Sequence, residues 1–173
     1  MAIPNIPSKI HSYNVYNDAD RLIGIGEEVT LPDFEALAET ISGAGILGEY
    51  DDPTPGHFSN MQMEIPFRIL DKEATNMLDL TRAVQLTLRA AQQTLSTEGN
   101  TGFRQLRVVV RGKSATVALG TVQNANPMET SVTLNVSYIL VEVGGEALVE
   151  LDKLNPTFKV GGKDVLQEVK EMT

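Results

Sequence analysis

The sequence predicts an α+β domain that is mainly β, a small barrel or sandwich with one substantial helix packed beside it. Three observations carry that prediction. Beyond residue 100, apolar and polar residues alternate with period two through several runs. Between residues 70 and 95, Leu70, Ala74, Met77, Thr81, Val84, Leu88, Ala91 and Leu95 trace one stripe at helical spacing. Glycine pairs at 144–145 and 161–162 sit between alternating runs, where residues tolerant of positive φ make tight hairpin turns.

The elements follow in chain order. Residues 1–12 hold Pro4 and Pro7 with little periodicity and read as an extended arm that a neighbouring surface must hold; Ile3, Pro4, Ile6 and Pro7 are its candidate contacts. Tyr13, Val15 and Tyr16 enter an Asx-rich turn at Asn17–Asp20, and a returning strand through Leu22, Ile23 and Ile25 is expected to reach Val29 or Leu31. Pro32 suits the first turn of a short helix that places Phe34, Leu37, Ala38 and Ile41 on one side. Residues 42–60 are rich in glycine and proline and lack alternation, so they read as a long loop, a length associated with function. Met61, Met63, Ile65 and Phe67 then alternate with Gln62, Glu64, Pro66 and Arg68 as a strand with one dry face, Pro66 marking an edge or an end.

The main helix is expected over residues 71–95, with Asp71 and Glu73 at its start and Gly99 after its end. Strands are expected over 103–111, 115–122, 129–143 and 148–154. In the third, Val132, Leu134, Val136, Tyr138 and Leu140 face one way and Ser131, Thr133, Asn135 and Ser137 the other. No repeat, low-complexity tract or composition break marks a linker, so residues 1–173 are expected to form one domain.

Composition narrows the function classes. Fourteen Lys and Arg against twenty-three Asp and Glu give a formal charge of −9, the wrong sign for a chain that binds phosphates tightly. With no cysteine, disulfides, thiolate metal sites and cysteine nucleophiles drop out. The opening residues lack a signal peptide's basic and apolar regions, and no run reaches the roughly 18 apolar residues of a membrane span, so synthesis in a cytoplasm without stable membrane insertion is expected.

Chemical motifs are weak. Residues 43–48 fit G-x-G-x-x-G spacing, but a helix candidate precedes them and Asp51-Asp52-Pro53 follows, the reverse of a dinucleotide fold. His11 and His57 have no nucleophile turn to serve, and Asp18, Asp20, Asp51 and Asp52 lack calcium-loop spacing. The expectation is a non-enzymatic protein without cofactor or metal.

Several stretches, in order, resemble the phage major tail tube protein family of contractile tails. They are Tyr13-Asn14-Val15-Tyr16-Asn17-Asp18, Leu22-Ile23-Gly24 and, as the sharpest, Glu27-Glu28-Val29-Thr30-Leu31-Pro32. The glycines 43, 45 and 48, Met61-Gln62-Met63-Glu64, Val108-Val109-Val110-Arg111-Gly112, Ser137-Tyr138 and Leu151-Asp152-Lys153-Leu154-Asn155 continue the match, while residues 72–99 are longer than in the best-known members. The resemblance implies hexameric rings whose strands join into a continuous β-barrel around a lumen, stacked through the long loop and the chain termini. It implies further copies of the chain as partners, with a tail sheath protein outside and a baseplate and tail terminator at the ends. A tape measure protein, and DNA where the particle carries it, would pass through the lumen. The location implied is a virion tail or an R-type bacteriocin particle.

On alternation and this pattern together, Gln62, Glu64, Ser131, Thr133, Asn135 and Ser137 are candidate lumen residues. Gly43, Gly45, Ile46, Leu47, Gly48, Tyr50, Asp51, Asp52, His57 and Phe58 are candidate inter-subunit residues in the 42–60 loop. A tube protein of a type VI-like injection system is the nearest alternative. A small-ligand-binding β-barrel with the loop as a lid is the alternative from another class.

Overall fold

The structure is a computed structural model and describes residues 5–173; Ile3 and Pro4 of the expected arm lie outside the described residues. Eleven strands and two short helices form it. The strands are β1 (Ile6–Asn17), β2 (Asp20–Arg21), β3 (Ala36–Ser42), β4 (Glu49–Phe58), β5 (Gln62–Phe67), β6 (Val84–Leu95), β7 (Thr101–Ala118), β8 (Thr130–Val143), β9 (Glu146–Asp152), β10 (Thr157–Val160) and β11 (Lys163–Asp164). The helices are α1 (Lys72–Asn76) and α2 (Gln167–Met172).

The main sheet runs β11-β10-β9-β8-β7-β6-β1-β2, with β5 on β8, and β3 and β4 make a separate two-stranded sheet. Every ladder is antiparallel. Among the described residues the sheet does not close into a barrel: two isolated bridges, Ile25–Phe67 and Thr30–Glu64, tie the segment after β2 to β5. One face of the sheet holds the core, in which Val15, Met63, Ile65, Phe67, Leu86, Val108, Val110, Val132, Leu134 and Ile139 meet Met77 and Ala74 from around α1.

The expected main helix is overturned. Asp71 does cap a helix, its carboxylate accepting from the Lys72 N–H, but α1 has five residues. Asp79 then accepts from both the N–H and the hydroxyl of Thr81 in an Asx-type turn, and the chain emerges as the 12-residue β6. The apolar stripe fits two periods at once, since Leu86, Leu88 and Ala90 also alternate with Gln85, Thr87 and Arg89. Long-range pairing decided between them: β6 is laddered on both sides, by β7 along its length and by β1 from Ile6 to Asn17. Context of this kind overrides helix propensity.

The short helix expected after Pro32 is also a strand, β3, and the 42–60 loop is mostly β4; only residues 43–48 turn the chain between them. Pro53 and Pro55 are tolerated because β4 pairs on one side only. The amino-terminal arm is not free within the described residues, for Ile6 faces Leu95 and Pro7 faces Thr94 in the β1–β6 ladder. The strand expected to return to residue 29 or 31 shrinks to β2 plus the two bridges.

Strands β5, β8 and β9 fall where alternation places them, and Gly144 and Gly145, at φ 62° and 85°, turn β8 into β9. The two strands expected over 103–122 are one, β7, irregular near Gly112 and Ala115. Gly112 is needed there because a Cβ would lie 2.1 Å from the Asn135 carbonyl oxygen. The matching bulge on β8 adds a residue between Val136 and Tyr138, so Tyr138 and Leu140 change face and leave the side of Val132, Leu134 and Val136.

Candidate assembly surfaces

Two surfaces collect the residues singled out by sequence. The first is the sheet face turned away from the core. Gln62 stands opposite Asn135, Glu64 opposite Thr133, and Pro66 opposite Ser131, so five of the six candidate lumen residues are cross-strand neighbours on β5 and β8. Burial of Met63, Ile65, Val132 and Leu134 on the other side forces this display, because neighbours in a strand alternate faces. Asn135 Oδ1 accepts from Gln62 Nε2 at 3.1 Å and from Asn60 Nδ2 at 3.0 Å. Ser137 differs: it sits in the bulge and its hydroxyl donates to the Arg111 carbonyl at 3.1 Å, a bond within its own sheet.

Farther along the same face the bulge brings in a charged cluster that alternation alone misses. Arg107 pairs with Glu142 at 2.8 Å, Arg111 with Asp152 at 3.3 Å, and Lys159 with Glu150 at 3.2 Å. The Arg111 guanidinium lies 4.8 Å from the Tyr138 ring centre, and Tyr138 Oη donates to Glu150 at 3.1 Å. Burial raises the Tyr138 pKa, and the Glu150 carboxylate raises it further. Burial alone would lift Asp152, but hydrogen bonds from the Asn155 N–H and amide and the Leu154 N–H, with Arg111 beside it, hold it below the usual carboxylate range. Val109, on this face, is buried outside the core cluster. The signal available in the sequence was the chain of arginines spaced along β7 facing acids spaced along β8 and β9.

The second surface is the β3–β4 hairpin. All seven β3 residues are exposed, as are the first seven of β4. Leu37, Ile41, Ile46, Leu47 and Tyr50 are among the exposed large apolar residues, Leu47 at 105%. Of the candidate inter-subunit residues, Gly43, Gly45, Ile46, Leu47 and Gly48 form the tip and Tyr50, Asp51 and Asp52 the rising strand; His57 and Phe58 belong to the root. The root is anchored. Phe58 packs edge-to-face between Phe34 and Phe158 at 5.5 and 5.2 Å, and Lys153 Nζ donates to the Ser59 carbonyl at 2.6 Å. Glu35 closes it with bonds to the Ser59 N–H and hydroxyl, both at 2.9 Å. Beyond its root the hairpin is exposed on both strands, an arrangement that is marginal in water for an isolated two-stranded hairpin. Sequence reasoning missed Leu37 and Glu39 as part of it, because it placed β3 in a helix, and did not single out Glu49 within the 42–60 loop.

A free strand edge completes the picture. Among the described residues, β1 from Ile6 to Asn14 is paired with β6 on one side alone, since β2 meets it at Tyr16 and Asn17. Unpaired edges are templates for another strand. A groove of about 620 Å³ runs beside this stretch, lined in part by Ile10, Tyr13, Val29, Leu31, Leu88 and Leu106.

The family model for phage tail tube protein FII matches residues 7–172. A curated tail tube protein of Escherichia phage P2 is 25% identical over 169 residues, covering 94% of this chain and 95% of that protein. An all-antiparallel sheet with an unpartnered hairpin, matched nearly end to end by that model, places this chain in the phage tail tube protein family.

Proposed function

We propose that this chain is a structural, non-enzymatic subunit of the inner tail tube of a contractile phage tail or a phage-tail-like bacteriocin, stacking as hexameric rings into a hollow conduit. The observation that carries the reading is the β3–β4 hairpin: a root-anchored element that, beyond its root, exposes Leu37, Ile41, Ile46, Leu47 and Tyr50. Contiguous exposed apolar surface of this kind marks an interaction site. The family match supports the partner being further copies of the chain, and the name of the phage P2 relative agrees.

In the tube, residues 1–173 act as one domain, the hairpin within 42–60 makes the contact between subunits, and the free edge of β1, beginning at Ile6 and Pro7, joins a neighbour's sheet. Only the β5 and β8 end of the outer sheet face, with Gln62, Glu64, Ser131, Thr133 and Asn135, lines the lumen; the β1, β6 and β7 end lies away from it. The lining amides and hydroxyls bind water, and the net −9 of each copy disfavours sticking to nucleic acid in transit. A sheath encloses the tube, with a baseplate and terminator at its ends and a tape measure protein within. Negative-stain electron microscopy of the purified protein at high concentration, with sedimentation velocity, tests the reading. Six-fold rings or hollow tubes are expected; a compact monomer at every concentration, even when seeded with tail fragments, would overturn it.

A further inference from the structure

Charge is segregated along this chain in a way the net value hides. Strands β1, β6 and β7 carry Lys9, Arg89, Arg104, Arg107, Arg111 and Lys113 and no acidic residue. The β3–β4 hairpin carries Glu39, Glu49, Asp51 and Asp52 and no lysine or arginine.

Within each region two like charges stand directly opposite one another. In the hairpin Glu39 faces Asp52; in the sheet Arg89 faces Arg107. Like charges at opposed positions destabilise an antiparallel pair. Among the described residues neither Glu39 nor Asp52 makes a salt bridge, and Arg89 makes none, resting 5.2 Å from the Tyr16 ring centre. Arg107 reaches Glu142 through Nη1 while its Nε is buried without a partner.

The cationic strands also offer a seat. On the face of Arg89, a shallow groove of about 350 Å³ is lined by Ser12, Asn14, Ala91, Phe103 and Gln105. Phe103 is 61% exposed, and Lys9 lies beside it across Gln93. A shallow polar groove that exposes the Phe103 ring between Arg89 and Lys9 complements an acidic hairpin with an apolar tip.

We infer that the acidic β3–β4 hairpin of one copy seats on the cationic face of β1, β6 and β7 of a second copy, setting Glu39 and Asp52 against Arg89 and Arg107. The inference rests on the self-assembly proposed above and names the surface that receives the hairpin. Donor and acceptor are different patches of the same chain, so the contact is heterologous and propagates into rings or open stacks instead of stopping at a dimer. Opposed potentials of this kind fix register and exclude wrong pairings.

Charge reversal tests it. Lys9→Glu with Arg89→Glu, and separately Glu39→Lys with Asp52→Lys, should each raise the critical concentration for rings or tubes at least tenfold while the far-ultraviolet circular dichroism of the monomer is unchanged. All four substitutions in one chain should restore assembly to within about threefold of wild type. Raising NaCl from about 50 to 500 mM should weaken wild-type assembly several-fold, because exposed charges are screened. Double variants that assemble like wild type, a fourfold variant no better than either double, or salt-independent assembly would each overturn the inference and leave self-assembly standing. A wild-type chain that never assembles would remove both.

Discussion

Strands β4 and β5 are separated by residues 59–61, yet they answer to different surroundings. In β5 every second side chain is buried: Met63, Ile65 and Phe67 are all at 2% exposure or less. In β4 the first seven side chains are exposed and its partner β3 is exposed throughout. The chain therefore divides its labour by segment. Burial in β5 and its neighbours stabilises the subunit, while the apolar residues of the hairpin beyond its Phe58 root, Leu37, Ile41, Ile46, Leu47 and Tyr50, are exposed and become useful only against another surface. A substitution in β5 should be read in monomer stability, and one in the hairpin tip in assembly.

The largest expected effect falls on the buried side. Phe67→Ala removes a buried aromatic ring from the core and should cost about 3–5 kcal/mol in urea unfolding. A cost under about 1 kcal/mol would place Phe67 outside a packed core and erase the contrast between the strands.

That strand was legible in the sequence, since Met61 to Phe67 alternates cleanly and Pro66 lies near its end. So were β8 and the Gly144–Gly145 turn, where one face is apolar and the turn residues are unambiguous. Residues 84–95 were not: Val84, Leu88, Ala91 and Leu95 satisfy a helical stripe while Leu86, Leu88 and Ala90 satisfy an alternating one, and the choice lay in pairing with β7, which follows through a turn, and with β1, far away in sequence. Residues 36–42 misled for the opposite reason. Ala36, Leu37, Ala38 and Glu39 are strong helix formers, but no core face exists for a helix to cover, and Thr40 and Ile41 pair with Asp51 and Tyr50 instead. Of the candidate surfaces, the polar side of β5 and β8 was visible by alternation. The ion pairs beyond it were hidden by the bulge at Ser137, which shifts Tyr138 and everything after it by one face.

A smaller effect should appear in acid. Asp152 is held below the ordinary carboxylate range in the folded chain, so its contribution to stability is fully present above the unfolded value, near pH ~4, and is lost as pH falls through the lower folded value. Asp152→Asn should lower stability at neutral pH and flatten the acid limb of a urea-midpoint series. An acid limb identical to wild type would show that the Asn155, Leu154 and Arg111 contacts do not hold the charge.

The smallest effect on stability and the most direct test of the account lie together at the hairpin tip. Ile46→Ser with Leu47→Ser should leave the monomer's unfolding free energy within about 0.5 kcal/mol of wild type, as expected for exposed positions. In sedimentation velocity and electron microscopy, wild type should form rings or tubes while the double variant sediments as a folded monomer. Tubes formed equally well by both proteins would contradict the claim that the hairpin is the assembly element.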